Sequence, residues 1–415
     1  MNAASTASGR CKVAIVGAGP QALTVAVHLA TVDSSIVDDM VVVDPGSGWM
    51  SAWRQRFASQ RIEHLRSPVV HQPAPDPYAL VTFARKTRRS HELVGRYQLP
   101  STRLFDDFCD HLVQRHGLDR CRRRSRVVRL AGDGTISLAD GSIVHARHVV
   151  VANAPTTPIW PDGCQASDVV RHADDVCVDS VRSGSRVAVV GAGLSAGHLI
   201  HGAVQRGAEV VWVHRSPVVE REFDVDPGWL GPREMDAYLA LTEPTERAHM
   251  AAAARTGGTL PGWMVRRLTQ HESANRVTSV CGSLCRLESQ GSAVRVVLEK
   301  RSFVVDEVWL ATGHRPAVAH DAVIGKFLSD RGCQLAEGFP VLDALARVPG
   351  TGTHLIGRSA TLAFGPTAGN LSGARHAARA IVSAVFGSDV AFELADRASG
   401  SSSSIPSGRL LPRKR

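Results

Sequence analysis

The sequence predicts an α/β fold of two parallel-sheet units, the second inserted into the first. Two observations carry this expectation. One strand–turn–helix–strand signal occurs twice, and a strand needed to complete the first sheet appears only near the end of the chain. The first copy is VAIVGAGPQALTVAVHLA followed by MVVVDPG, and the second is VAVVGAGLSAGHLIHGAVQRGAEVVWVHRSP. In each, a Val-rich run of the kind buried on both sheet faces enters a glycine turn, then an apolar-periodic helix, then a second buried strand.

Between the copies, the sequence predicts an arginine-rich strand pair near Val127–Leu138 and a strand His148–Ala152. After the second copy it predicts strands Val294–Leu298 and Val304–Leu310, a strand Thr353–Gly357 and a last helix Leu371–Phe386. THLIG would pair back into the first sheet. The expected division is a disordered start at 1–10, the first part of one nucleotide-binding domain at 11–160, an inserted second domain at 161–305, and the completing part of the first at 306–390. A disordered Ser-rich, basic tail is expected at 391–415.

The glycines carry the first chemical inference. Gly17-x-Gly19-x-x-Ala22 and Gly191-x-Gly193-x-x-Ala196 each follow a strand and open a helix. The first glycine permits a tight turn, the second lets backbone approach a pyrophosphate, and the small third residue lets helix and strand pack closely. The helix start offers unpaired N–H groups and the positive end of a dipole to phosphates. Both copies are therefore Rossmann-like dinucleotide sites. At the first, Asp44 ends the second strand, where an acid accepts hydrogen bonds from a ribose. At the second, the corresponding strand ends in His214-Arg215. An arginine there favours a 2′-phosphate, so NADPH is expected over NADH.

Composition narrows the alternatives. The 415 residues are 44% hydrophobic and 21% charged, an ordinary globular profile. No apolar stretch approaches the length of a bilayer span, and the polar MNAASTASGR start does not read as a signal peptide, so a cytoplasmic protein with no membrane association is expected. None of the eight cysteines has C-x-x-C or zinc spacing, so reduced structural thiols are expected and no metal. The net charge of +9 is concentrated in Arg120–Arg129 and in the tail. Without interleaved aromatics the cluster reads as a solvated sheet edge, and nucleic acid is not an expected partner.

These residues resemble the class B flavin-dependent monooxygenases, and within them the N-hydroxylating type that acts on lysine or ornithine in siderophore pathways. Gly17-Ala18-Gly19-Pro20, with Gln21 and Ala22, is similar to the FAD fingerprint of that group; Gly191-Ala192-Gly193-Leu194-Ser195-Ala196 is similar to its NADPH fingerprint. Ala311-Thr312-Gly313-His314 resembles its late A-T-G stretch, and Gly365-Pro366 with Asn370-Leu371-Ser372-Gly373-Ala374-Arg375 resembles the segment that closes over the flavin. Trp49, Arg56 and His64-Leu65-Arg66-Ser67-Pro68 resemble the loop that lines FAD, and Pro100-Ser101-x-Arg103 before Phe105-x-x-Phe108 resembles the helix start that follows it.

The departures bear on substrate. His172 in VVRHADDV has no matching Trp after it, which argues against a ketone oxygenase. The Asn-Glu pair of lysine and ornithine hydroxylases is replaced by Arg221-Glu222-Phe223-Asp224, with Arg221 the candidate carboxylate clamp. Asn153-Ala154 stands where Thr-Gly-Gly is usual.

The resemblance implies that NADPH reduces FAD and that reduced FAD activates O2, giving one oxygen atom to a nucleophilic atom of a small-molecule substrate. An amine nitrogen of an amino-acid-like or natural-product substrate is the leading expectation, and a carrier-bound substrate and an oligomer stay open. The alternatives are an S- or C-oxidising flavin monooxygenase and a pyridine-nucleotide–flavin reductase of the ferredoxin reductase type. No catalytic acid or base is assigned from sequence; His64, His71 and His314 are candidates by position only.

Overall fold

A computed structural model describes residues 8–255 and 257–387. In chain order the elements that build the two sheets and their flanking helices are β1 Ser8–Val16, α1 Pro20–Val32, β2 Met40–Asp44, α2 Ser51–Ser59, α3 Thr102–His116, β3 Arg122–Arg124, β4 Val127–Leu130, β5 Thr135–Leu138 and β6 Ile143–Val151. There follow β7 Val170–His172, β8 Arg186–Val190, α4 Leu194–Gln205, β9 Glu209–His214, β10 Val277–Cys281, a meander β11 Leu284–Gln290, β12 Ala293–Leu298 and β13 Ser302–Val305, then β14 Glu307–Leu310, β15 Thr353–Leu355 and α5 Leu371–Phe386.

The first sheet has the order β3-β2-β1-β6-β5-β4, with β15 also on β6. The long strand β6 makes this possible. Its first residues pair antiparallel with β5, and Val149–Val151 pair parallel with Thr353–Leu355. The late strand thus completes the first sheet as its sequence implied. Val13, Ala14 and Ile15 are fully buried because helices α1, α3 and α5 cover one face and the 318–348 region covers the other. Helix α5 has the bounds its periodicity predicts and packs Ala377, Ala378, Ile381 and Val382 into the core that α1 shares.

The second sheet is parallel throughout, in the order β7-β14-β8-β9-β10, and all its strands lie between β6 and β15 in the chain. The expected single strand Val304–Leu310 is two strands. Val304 pairs antiparallel within the meander, whereas Glu307–Leu310 enters the second sheet beside β8. Asp306 makes the break: its carboxylate accepts from Arg186 N–H at 2.7 Å, and its own N–H donates to Arg186 C=O at 2.8 Å. The second sheet therefore runs past residue 305.

One further expectation changes and another gains detail. Ser8, Gly9 and Arg10, expected to be disordered, extend β1 and pair with Ile143–His145. The arginine cluster does form a sheet edge, but its guanidiniums are partnered as well as solvated. Arg122–Arg124 is itself the edge strand on β2, and Arg122 donates to Gly46 and Ser47 carbonyls. A carbonyl-rich loop beside the edge gives these guanidiniums partners that sequence distance hid. The expected disordered tail, 391–415, and residues 1–7 lie outside the described residues. All eight cysteines are free.

Candidate functional site

Both glycine turns form as their residue types require. Gly17 has φ +102° and Gly191 φ +142°, a backbone region that side chains resist. Each turn is tied to the neighbouring strand, Gly17 N–H to Val43 C=O and Gly191 N–H to Val213 C=O. Ala22 and Ala196 are fully buried where helix meets sheet. The helices then start at Pro20 and Leu194 with Gly19 and Gly193 as N-caps, and neither cap supplies a side-chain acceptor to the helix N–H groups. Helix α5 also starts without a side-chain cap hydrogen bond, after Asn370.

These three helix starts converge. Pro20 and Gln21, Leu194 and Ser195, and Leu371 and Ser372 line one cavity of about 770 Å³ between the two sheets. Its remaining wall is largely apolar and aromatic, with Trp53, Phe57, Leu65, Tyr97, Phe223 and Leu230. Trp53 and Phe57 stack at 4.0 Å, and Tyr97 meets Phe223 edge-on at 4.9 Å. Two buried polar atoms on the wall have no protein partner, Gln21 Oε1 and Thr367 Oγ1. Uncapped N–H groups and orphaned polar atoms in one place fit a phosphate-bearing, hydrogen-bonding ligand.

The first turn passes a direct steric test for FAD. A Cβ added at Gly19 would meet nothing within 4 Å, so the pyrophosphate side of the turn is open. Asp44 lies half-buried beside it, its carboxylate accepting from Ala18 N–H at 3.0 Å and Gly46 N–H at 2.7 Å. It holds the turn and keeps lone pairs for a ribose. The second turn differs. A Cβ added at Gly193 would meet the Gly258 Cα at 3.4 Å.

The other expected residues divide. Leu65 and Arg66 line the cavity, and Arg66 donates to the Glu222 carbonyl at 2.9 Å, the Arg221 carbonyl at 2.6 Å and Thr259 Oγ1 at 3.0 Å. Asn370 and Leu371 also line it; Gly365 and Pro366 stand behind. Arg255 braces that segment, donating to the Pro366 carbonyl at 2.8 Å and Asn370 Oδ1 at 2.9 Å while pairing with Asp224 at 3.0 Å. Trp49 is 2% exposed and sits in the first core, its indole N–H on the Leu118 carbonyl, away from the cavity wall. Thr312 donates to the Ile159 carbonyl and Gly313 accepts from Ile159 N–H, so the late A-T-G stretch fastens the return to the first sheet. Arg215 is exposed at the end of β9. Arg221 is exposed outside the cavity wall, which its neighbours Phe223 to Pro227 form instead.

Arg56 points away from the cavity and pairs with Asp174. Asp174 also accepts from His314 Nε2 at 2.5 Å and lies 3.7 Å from His172 Nδ1. His172, Asp174 and His314 are the group among the described residues that could hold a metal ion, but Arg56 already balances the carboxylate. The Trp160 ring lies tilted against the His172 ring, centroids 6.2 Å apart.

Sequence reasoning missed His198, Tyr97, Phe223 and Gly258. His198 carried a readable signal, lying four residues after Leu194 on the helix face that meets the cavity. It is 4% exposed, and burial, then Arg267, pushes its pKa down to about 4. Burial, then Arg375, likewise pushes His71 down to about 4, and burial lowers His64. The cavity imidazoles are thus uncharged at neutral pH.

Two sheets, each with a dinucleotide turn, and one shared cavity define a two-dinucleotide-domain flavoprotein fold. Residues 14–155 match the FAD-NAD(P)-binding family. Among solved structures the chain is similar to ornithine hydroxylase PvdA from Pseudomonas aeruginosa, at 16% identity over 93% of this chain and 99% of that one, with TM-score 0.71. It is also similar to lysine monooxygenase NbtG from Nocardia farcinica (17% identity, 89% and 99% covered, TM-score 0.62) and to bacillithiol disulfide reductase Bdr from Bacillus cereus (16%, 94% and 99%, TM-score 0.58). No curated protein sequence matches. No described helix is long and apolar enough to cross a membrane.

Proposed function

We propose that the chain is an FAD-dependent, NADPH-consuming monooxygenase that transfers one oxygen atom from O2 to an amine nitrogen of an amino-acid-like or natural-product substrate. The observation that carries this reading is the convergence of three uncapped helix starts, two with dinucleotide turns, on one mostly apolar cavity. The likeness to PvdA and NbtG over nearly their whole length supports the choice of an amine. FAD held in that cavity and reduced by NADPH would supply the oxygen activation, with the second oxygen atom of O2 released as water.

This chain's residues would bind, orient and exclude water. The start of α1 and the open side of Gly19 would hold the FAD pyrophosphate, with Asp44 on the ribose. Gln21 Oε1 and Thr367 Oγ1 would take hydrogen bonds from the cofactor or substrate. Ser195 and the start of α4 would face the second nucleotide, with Ala196 packing that helix on its sheet and Arg215 toward the 2′-phosphate. Arg255, through Asn370 and Asp224, keeps the 365–371 segment in place. The nucleophile must be an unprotonated amine, and an apolar wall favours that form by desolvation. Uncharged His64, His71 and His198 add no competing cations. The expected division into an FAD unit (11–160 and 306–390) and an NADPH insert (161–305) belongs to this proposal with one boundary moved: 306–310 passes from the FAD unit to the insert, because β14 pairs in the second sheet.

A disulfide reductase working through a cysteine pair, the reading suggested by the likeness to Bdr, is opposed by the cavity wall, on which no described cysteine lies. The test is incubation with NADPH, 18-oxygen-labelled O2 and a panel of amines, read by mass spectrometry. One labelled oxygen on nitrogen supports the proposal. NADPH oxidation that proceeds without oxygen, and quickens with ferredoxin or a dye, would replace it with a reductase.

A further inference from the structure

We propose that Gly257–Leu260 forms a strap that closes the second glycine turn and must lift before a dinucleotide pyrophosphate can bind there. This inference rests on the reading of Gly191–Ala196 as the NADPH site. The second glycine of such a turn exists to let a pyrophosphate approach where a side chain would otherwise stand. At Gly19 that approach is open, whereas at Gly193 the backbone of Gly258 borders it, its Cα 3.4 Å from where a Cβ would stand. From the other side, a Cβ on Gly258 would lie 2.6 Å from Gly193 N, 2.8 Å from its Cα and 2.9 Å from Ala192 C. The two chain segments are in backbone contact across the helix start.

The strap is built to be held and released. Its base is fixed at Leu260, which is fully buried against α4, pairs with Glu220 and accepts from Arg221 N–H at 2.8 Å. Its tip is the exposed pair Gly257-Gly258, with no side chain to pack and wide backbone freedom. Between them one side chain makes the catch. Arg66, from the first sheet's unit, donates to Thr259 Oγ1 at 3.0 Å and to the Thr259 carbonyl at 3.3 Å. Second-nucleotide binding is thereby tied to a loop of the FAD unit, and apparent affinity is reduced by the fraction of molecules with the strap closed.

The test uses the FAD-loaded protein and NADP⁺, so turnover plays no part. Calorimetric titration compares wild type, Gly258→Ala and Thr259→Val, with flavin stoichiometry as the check on folding. Gly258 lies outside the left-handed region, so alanine there acts by clashing with Gly193 and Ala192 in the closed form. NADP⁺ should bind roughly 5- to 20-fold more tightly to Gly258→Ala, and about 5-fold more tightly to Thr259→Val, which loses the Arg66 bond to Oγ1 and keeps the weaker one to the carbonyl. If Gly258 is instead a fixed wall of the site, Gly258→Ala weakens binding, and that sign overturns the strap. Hydrogen exchange on the wild type needs no variant: amides of 257–259 should exchange faster on saturation with NADP⁺, and unchanged exchange also overturns it. A flavin-loaded protein that binds no NADP⁺ in any form would remove the second-site reading itself.

Discussion

Replacing Gly19 by Val separates ligand loss from fold damage, because the two glycines of the first turn fail for different reasons. Gly19 has φ −85° and ψ −172°, extended backbone that valine adopts readily, and nothing lies within 4 Å of its added Cβ. The cost to the ligand-free protein is that of a poorer N-cap, about 0.5–1 kcal/mol. At Gly17, φ is +102°, so even alanine carries a backbone penalty of roughly 1–2 kcal/mol before any ligand is considered. FAD binding should respond in the reverse order of severity. The valine methyls at 19 fill the pyrophosphate's approach, while Gly17→Ala leaves that approach open. A protein saturated at 100 times its Kd draws about 2.7 kcal/mol from the ligand, and Gly19→Val should forfeit all of it. The assay is the flavin-to-protein absorbance ratio after gel filtration, with thermal melts of ligand-free and FAD-supplemented samples. Gly19→Val should melt near wild type without FAD and gain nothing when FAD is added. Retention of stoichiometric FAD would refute the assignment of the first turn.

Other outcomes follow from the same geometry. Removing the exposed cation by Arg215→Ala should lower the preference for NADPH over NADH by about 10-fold or more, consistent with one charge-assisted contact of roughly 1.5–3 kcal/mol; steady-state flavin reduction with both nucleotides checks it. Arg255→Ala should reduce flavin retention and stability together, by about 1–3 kcal/mol, since it frees the Pro366 carbonyl, Asn370 and Asp224 at once; dialysis followed by a thermal melt reads both effects. Acid should destabilise the fold. His71, His148, His198, His201 and His354 are all pushed down to about 4, chiefly by burial. The unfolded chain binds protons that the folded chain refuses between pH 6.5 and 4. Stability is therefore full above 6.5 and falls as pH drops through that window, by at most ~1.4 kcal/mol per histidine per pH unit. Urea midpoints at pH 7.5, 6 and 5 test this, and a flat profile would contradict it.

The sequence by itself determined what depends on local chemistry. Glycine in a strand-to-helix turn has few other uses, so Gly17, Gly19, Gly191 and Gly193 announced both nucleotide turns; periodicity placed α5, and THLIG declared the missing strand of the first sheet. Side-chain partners were not local and so were not legible. Trp49 and Arg56 belong to the expected flavin loop, yet one is drawn into the core beside Leu118 and the other to Asp174, 118 residues away in sequence. Asp306 splits one apparent strand because its partner, Arg186, is 120 residues distant. The cavity itself exists only where α1, α4 and α5 begin at the same place. A glycine pair at 257–258 reads as an ordinary loop until tertiary packing sets it against Gly193. Pattern fixes which backbone conformations a segment can adopt, but which surfaces meet is set by the summed packing of distant elements, and that only the folded chain decides.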